Sequence, residues 1–345
     1  MTSPLVLTRE AVLGHRRRAG ALEARLPPGP DSLRRAAWAG LQDSMPRAAL
    51  LSIHARVEGI DPSAWEDPSL VQLWGPRFSA YVVAAADRAV FSLGRLPTDP
   101  AGLRRAEDMA TRLEAYLAGR RMAYGPAGRG IGVMPNALRY GAPTGRILLR
   151  WEGARQPVVW TVPAPEIDPW EARLELARRY LNVLGPGTAT SFGTWAGVRA
   201  PRAAATFQGL ASELVRVRTP IGEGWILASD EPSIRAAPGP GPDARLLPGG
   251  DAYFLLQARD RELLVPDGSR RSLLWTPRVW PGALLVGGEI AGTWRRGDAD
   301  LAVEPWRTLA PDESDAVERE AASLPLPGLA GRVRVRWSTP RPEVS

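Results

Sequence analysis

A chain of 345 residues exceeds one ordinary hydrophobic core, so several modules, or one module with an appended barrel, are expected. Hydrophobic residues at 44% and charged residues at 23% exclude wholesale disorder, and the formal charge of +7 favours a polyanionic partner without choosing among DNA, RNA and an acidic membrane surface. With no cysteine and only two histidines, the sequence excludes disulfides, thiolate nucleophiles and cysteine-ligated metal, and it leaves little material for a multi-histidine metal site or a Ser-His-Asp triad.

Met1 to Ala21 alternates apolar residues with Arg9, Glu10 and the run Arg16-Arg17-Arg18, unlike a signal peptide, and no later apolar stretch reaches membrane-spanning length. A cytoplasmic location with no membrane partner is therefore expected. Thr8 can cap a helix over Arg9 to Ala21, which Pro27-Pro28-Gly29-Pro30 ends. A second helix, Leu33 to Leu41, leads into Gln42-Asp43-Ser44, and Pro46 opens a third that runs through Val57. Two strands follow, Leu70 to Trp74 and Phe78 to Ala84, separated by the turn residues Gly75-Pro76-Arg77. Helices followed by a hairpin read as a winged helix over residues 1–97.

The pattern recurs over residues 98–165, with a helix from Ala101 to Ala118, a short one from Met134 to Tyr140, and strands Ile147 to Trp151 and Val158 to Val162 around Glu152-Gly153. It recurs again over residues 166–235. There Trp170 to Leu184 is amphipathic, Gly187-Thr188 caps a short helix, Pro201 to Leu214 forms a third, and Val215 to Arg218 with Trp225 to Ala228 flank Gly222-Glu223-Gly224. Ala236 to Pro242 is too rich in proline and glycine to hold a ladder or helix, and reads as an exposed joint. Beyond it, residues 243–345 offer strands at Tyr253 to Gln257, Ala283 to Val286, Glu289 to Arg295, Leu301 to Pro305 and Arg332 to Trp337, with one helix from Asp312 to Ala322. The expected fold class is α+β, three tandem winged-helix units followed by a small C-terminal β-barrel-like module.

Several strings, in this order, resemble the AlkZ/YcaQ-like DNA glycosylases: Gly40-Leu41-Gln42-Asp43-Ser44-Met45-Pro46, Trp74-Gly75-Pro76-Arg77, Leu184-Gly185-Pro186-Gly187-Thr188-Ala189-Thr190 with Trp195, Leu246-Leu247-Pro248 with Asp251, Arg259-Asp260-Arg261, and Gly292-Thr293-Trp294-Arg295. The resemblance implies winged helices around a concave basic surface, release of alkylated purines from DNA, and a glutamine-centred catalytic motif at the end of the second helix. That motif reads Gln, apolar, then Gln or Asp. Here the three positions hold Gln42, Asp43 and Ser44, so two depart from it.

Residues two apart on extended backbone face the same side, so Gln42 and Ser44 are expected to face one pocket. An N7-alkylated purine is already a cationic leaving group, so its release requires chiefly a positioned water and stabilisation of the developing oxocarbenium ion, which an amide carbonyl can provide. Asp43, if turned inward, can activate water more strongly than an amide. The other role open to Asp43 and Ser44 is to cap the helix near Pro46. His54 reads as a packing or hydrogen-bonding residue, His15 as surface, and the runs Arg16-Arg17-Arg18, Arg104-Arg105 and Arg178-Arg179 as solvated faces or phosphate contacts. Arg77, Arg155 and Arg199, on wings or loops, are the DNA-binding candidates. Arg332, Arg334 and Arg336 share one strand face, a contact strip or a solvated edge, and the tryptophans read mostly as core. A monomer acting on double-stranded, alkylated DNA without cofactor or metal is expected. The alternative is a winged-helix DNA-binding protein without catalysis, for damage sensing or regulation.

Overall fold

The computed structural model describes residues 4–45, 47–151, 155–297, 300–326 and 333–338. After β1 (Leu5–Val6), Thr8 accepts a hydrogen bond from the Ala11 N–H and starts α1 (Arg9–Ala19). Helix α2 (Pro30–Ala36) ends earlier than its sequence pattern suggests. Gly40, at φ +72, turns the chain where an added Cβ would lie 2.8 Å from the Phe91 ring, and the residues after it become strand β2 (Leu41–Gln42). Helix α3 (Ala48–His54) then precedes β3 (Leu70–Trp74) and β4 (Ala80–Ala84), and the antiparallel sheet runs β2-β4-β3, with Gln42 opposite Tyr81.

Next in the chain are α4 (Arg88–Leu93) and α5 (Pro100–Leu117), the latter capped by Asp99, then β5 (Met122–Ala123), α6 (Tyr124–Gly130) and a 3-10 segment, Pro135–Thr144. They pack on a sheet in the order β5-β7-β6, where β6 is Ile147–Arg150 and β7 is Val158–Thr161. The turn expected at Glu152-Gly153 lies outside the described residues.

A third set comprises α7 (Pro169–Leu184), α8 (Ala189–Ala196), α9 (Ala200–Gly209), β8 (Leu214–Thr219) and β9 (Gly222–Leu227). Thr219 pairs with Gly222, so the hairpin turn is Pro220-Ile221 rather than the expected Gly222-Glu223-Gly224. Strand β1 adds to β8 in parallel and closes this sheet with the start of the chain. Tyr180, Phe192, Trp195 and Phe207 form its aromatic core, with ring centroids 5.3 to 6.4 Å apart.

Helix α10 (Glu231–Arg235) precedes the proline-rich stretch 236–242, which holds no helix or strand. Residues 236–238 and 240 are exposed, while the stretch passes against α1, where a Cβ at Gly14 would come 2.9 Å from Pro238 Cβ, and Pro242 is buried. The remaining elements are β10 (Ala244–Leu247), α11 (Asp260–Leu264), α12 (Gly268–Leu274), β11 (Gly282–Val286), β12 (Glu289–Arg296), β13 (Asp300–Pro305), α13 (Pro311–Ala322) and β14 (Arg334–Trp337).

The barrel expected here is instead an open five-stranded sheet in the order β10-β11-β12-β13-β14, and among the described residues no pairing joins β10 to β14. Helix α13 packs against both edge strands, and Val317 and Ala321 share an apolar cluster with Leu246, Trp294 and Val303, so a helix covers the face that closure would have buried. The strand expected at Tyr253 to Gln257 is a 3-10 turn, Ala252–Phe254, buried within the main core, where Asp251 accepts a hydrogen bond from the Tyr253 N–H. No described helix is long and apolar enough to cross a membrane.

Candidate functional site

The site begins at the junction of β2 and α3. Gln42 is half-buried on β2, Ser44 is exposed two residues later, and Asp43 between them points the opposite way and is 2% exposed. Its carboxylate accepts hydrogen bonds from the Ala49 N–H at 3.0 Å and from Gln72 Nε2 at 2.6 Å. Gln72 in turn accepts from the Trp151 N–H at 2.5 Å, which ties β3 to the end of β6. Burial pushes the Asp43 carboxyl up to about 6, against the pull of the Ala49 N–H, Arg47 and Gln72. The capping role weighed for Asp43 and Ser44 therefore falls to Asp43, which serves the first turn of α3.

Gln42 Oε1 accepts a hydrogen bond from Arg77 Nη2 at 3.0 Å. Arg77 lies in the turn between β3 and β4 with a left-handed backbone (φ 55), and this turn is not a free tip. Gly197, at the end of α8, packs on it, since a Cβ there would lie 3.0 Å from the Arg77 nitrogen. Arg95, buried, bonds Trp74 O and Ala196 O at 3.0 Å each and stacks over Phe78. Such a fixed left-handed residue is the kind of strain that persists only where surrounding contacts determine it.

Gln42, Ser44, Met45 and Arg77 line one side of an open cavity of about 430 Å³. The other side comes from the C-terminal third of the chain, through Gly249, Gly250, Gln257, Arg278 and Trp280. Trp280 is braced by Phe254, 6.4 Å between centroids, and by Arg261, 5.4 Å from its ring. Asp43 does not reach this cavity. Sequence reading singled out none of the C-terminal residues as site components. They sit in loops whose partners lie some 200 positions away, and no local spacing signals such a contact.

The remaining candidates are dispersed. Arg155 is exposed next to residues outside the described set, and Arg199 is exposed at the start of α9. Arg104 and Arg105 are exposed on α5, but the expectation of solvated faces fails for His15, Arg16, Arg17 and Arg179, which are all buried. Arg16 donates to Leu184 O and Gly185 O, satisfying carbonyls at the end of α7, and His15 Nε2 donates to Asn182 O. Arg179 pairs with Asp87 at 2.9 Å and stacks on Trp38. His54 fits its expected packing role. Its Nε2 accepts from Arg25 at 3.3 Å and sits 3.1 Å from Ser323 Oγ, and burial pushes it down to about 4. Trp195 is core, and Trp38, Trp151 and Trp160 are partly buried and packed against core clusters; Arg332 lies outside the described residues. Among the described residues no three His, Asp or Glu side chains come together as a metal site.

A family model described as DNA glycosylase AlkZ-like matches residues 133–325. An interstrand DNA cross-link repair glycosylase of Streptomyces sahachiroi is 27% identical over 192 residues, which is 52% of this chain and 51% of the relative, so the chain spans about half the length of that curated relative. Among solved structures, the Streptomyces sahachiroi DNA glycosylase AlkZ is similar with a TM-score of 0.76 at 20% identity, over 98% of this chain and 100% of that one; at this identity the likeness is one of fold.

Proposed function

The chain belongs to the AlkZ-like DNA glycosylase family, and from that premise we propose that it hydrolyses the N-glycosidic bond of alkylated purines in double-stranded DNA. The observation that carries this reading is the meeting of Gln42, Ser44 and Arg77 in one cavity walled by Trp280. The family match spans the C-terminal wall of that cavity, and the likeness of fold over 98% of the chain supports the wall that holds Gln42. We read the three helix-and-sheet units as tandem winged helices over residues 1–97, 98–165 and 166–235, with β1 and α1 of the first range packed on the third unit and residues 243–345 as the C-terminal module. Arg77, Arg155 and Arg199 are proposed to contact DNA, and the protein to act as a monomer.

In this reading the C1′–N9 bond breaks with its electron pair passing to the cationic purine, which leaves neutral. A water oxygen adds to C1′ of the resulting oxocarbenium ion, and the water proton passes to solvent. An amide carbonyl has two lone pairs, and Arg77 occupies one on Gln42, so the second remains to hold the water or face the sugar cation. Ser44, exposed on the same side, orients the same water. Asp43 acts as a structural tie and not as the base, because both its oxygens are engaged away from the cavity.

Incubation with a duplex containing N7-methylguanine, scoring free base, tests the proposal. The departure at Asp43 and Ser44 favours the second reading, DNA binding without catalysis. Binding of the alkylated duplex with no base released establishes that second reading.

A further inference from the structure

Helix α3 is gripped at both ends by carboxylates. Asp43 serves its first turn, and Asp251, from the C-terminal third of the chain, serves its last. Asp251 is 1% exposed; it accepts from Ser52 Oγ at 2.6 Å and from Arg56 Nη1 and Nη2 at 2.7 and 2.8 Å, while Arg56 Nη1 also bonds Ser52 O at 2.9 Å. A bidentate pair with both partners buried holds one geometry, because losing either partner strands a charge in the interior. The Asp251 N–H also closes a turn on Pro248 O at 3.0 Å. In that turn Gly250 has φ +86 and faces the Gln42 amide, where an added Cβ would sit 3.3 Å from Nε2 and 3.5 Å from Cδ. Arg77 holds the other end of the same amide.

We propose that the 248–251 turn, pinned by Asp251 to Arg56 and Ser52 and bare at Gly250, is the positioning element that fixes the orientation of the Gln42 amide. The C-terminal segment thereby completes a site whose acting side chain belongs to the first unit. The inference rests on the glycosylase reading of Gln42, and its test separates the two.

The decisive variant is Gly250→Ala, with Gly119→Ala as control: Gly119 has nearly the same backbone (φ +81) but nothing within 4 Å, so it carries the strain without the contact. Single-turnover release from an N7-methylguanine duplex is expected to fall by about tenfold or more in Gly250→Ala, with duplex affinity within about twofold, and to stay unchanged in Gly119→Ala. The Gln42 side-chain NH₂ resonance, identified by its loss in Gln42→Ala, is expected to shift or broaden in Gly250→Ala and Asp251→Asn and not in Gly119→Ala. If Asp251→Asn does not fold, Gly250→Ala decides alone. An unmoved amide resonance in Gly250→Ala, or equal rate losses in Gly250→Ala and Gly119→Ala, overturns the proposal. If the unmodified protein releases no base, the glycosylase reading fails and the amide resonance decides the positioning.

Discussion

Helices α3 and α8 begin in opposite ways. At α8, extended Thr188 accepts from the Ser191 N–H at 3.1 Å while Ser191 Oγ accepts from the Thr188 N–H at 2.9 Å, a reciprocal cap made by four consecutive residues. At α3 the capping position holds Arg47 in a left-handed conformation (φ 65) with no side-chain bond of its own, and the free Ala49 N–H is served from Asp43, six residues back. A left-handed non-glycine residue costs about 1–2 kcal/mol. Arg47 offsets this by stacking 4.2 Å from the centre of Trp65, whose ring Arg150 also covers. The self-sufficient start is partly exposed, and the helix it opens carries Phe192 and Trp195 into the aromatic core. The dependent one lies beside Gln42 and Ser44, where Asp43 ties the first turn of the helix to the strand that carries Gln42.

The largest expected difference between the two starts is in rate. Gln42→Ala should slow base release by about 100-fold or more and leave duplex affinity within about twofold, since an interaction made in the transition state acts on rate rather than ground-state binding. Thr188→Ala should not change the rate per folded molecule. Full base release by Gln42→Ala in the same assay would remove the functional half of the comparison.

Stability should separate them next. Asp43→Ala strands the Ala49 N–H and the buried Gln72 amide, an expected loss of about 2–3 kcal/mol, against about 1 kcal/mol for Thr188→Ala. Denaturant melts of both variants measure the gap. Equal losses would show that the long-range cap is no costlier to break than the local one.

Acidity should then resolve the two ends of α3. Asp43, raised from 3.8 to about 6, contributes stability that is complete below pH 4 and lost as pH rises through 6. His54, lowered from 6.5 to about 4, contributes stability present above pH 6.5 and lost as pH falls through 4. Relative to the unmodified protein, Asp43→Asn should therefore gain stability from pH 4 to 7, and His54→Gln should gain from pH 7 to 4. Unfolding midpoints across that range give the two slopes, and slopes of the same sign contradict the assignment.

Ser44→Ala should have the smallest effect on stability, within about 0.5 kcal/mol, because Asp43 and not Ser44 caps α3. A loss near 1 kcal/mol in the same melts would return Ser44 to the capping role. A slower base release with unchanged stability is the expected outcome if Ser44 orients water.

Much of the chain was legible without coordinates. Thr8 and Thr188 cap the helices that follow them because a short polar side chain at a helix start acts within its own four residues. Strand β3 and helices α5, α7 and α13 fall close to where period and punctuation put them, and the alternation at residues 42 to 44 was enough to set Asp43 apart from its neighbours. These are properties of adjacent residues. Tertiary structure alone decided the burial of Arg16 and Arg179, whose partners are the end of α7 and Asp87. It also decided the open C-terminal sheet, because α13 covers a face that strand pattern by itself assigns to closure. The cavity is the clearest case. Gln42 can be picked from a string of seven residues, but Gly250 faces it only because Asp251 finds Arg56 across 195 positions, and a contact of that separation leaves no periodic trace in the chain.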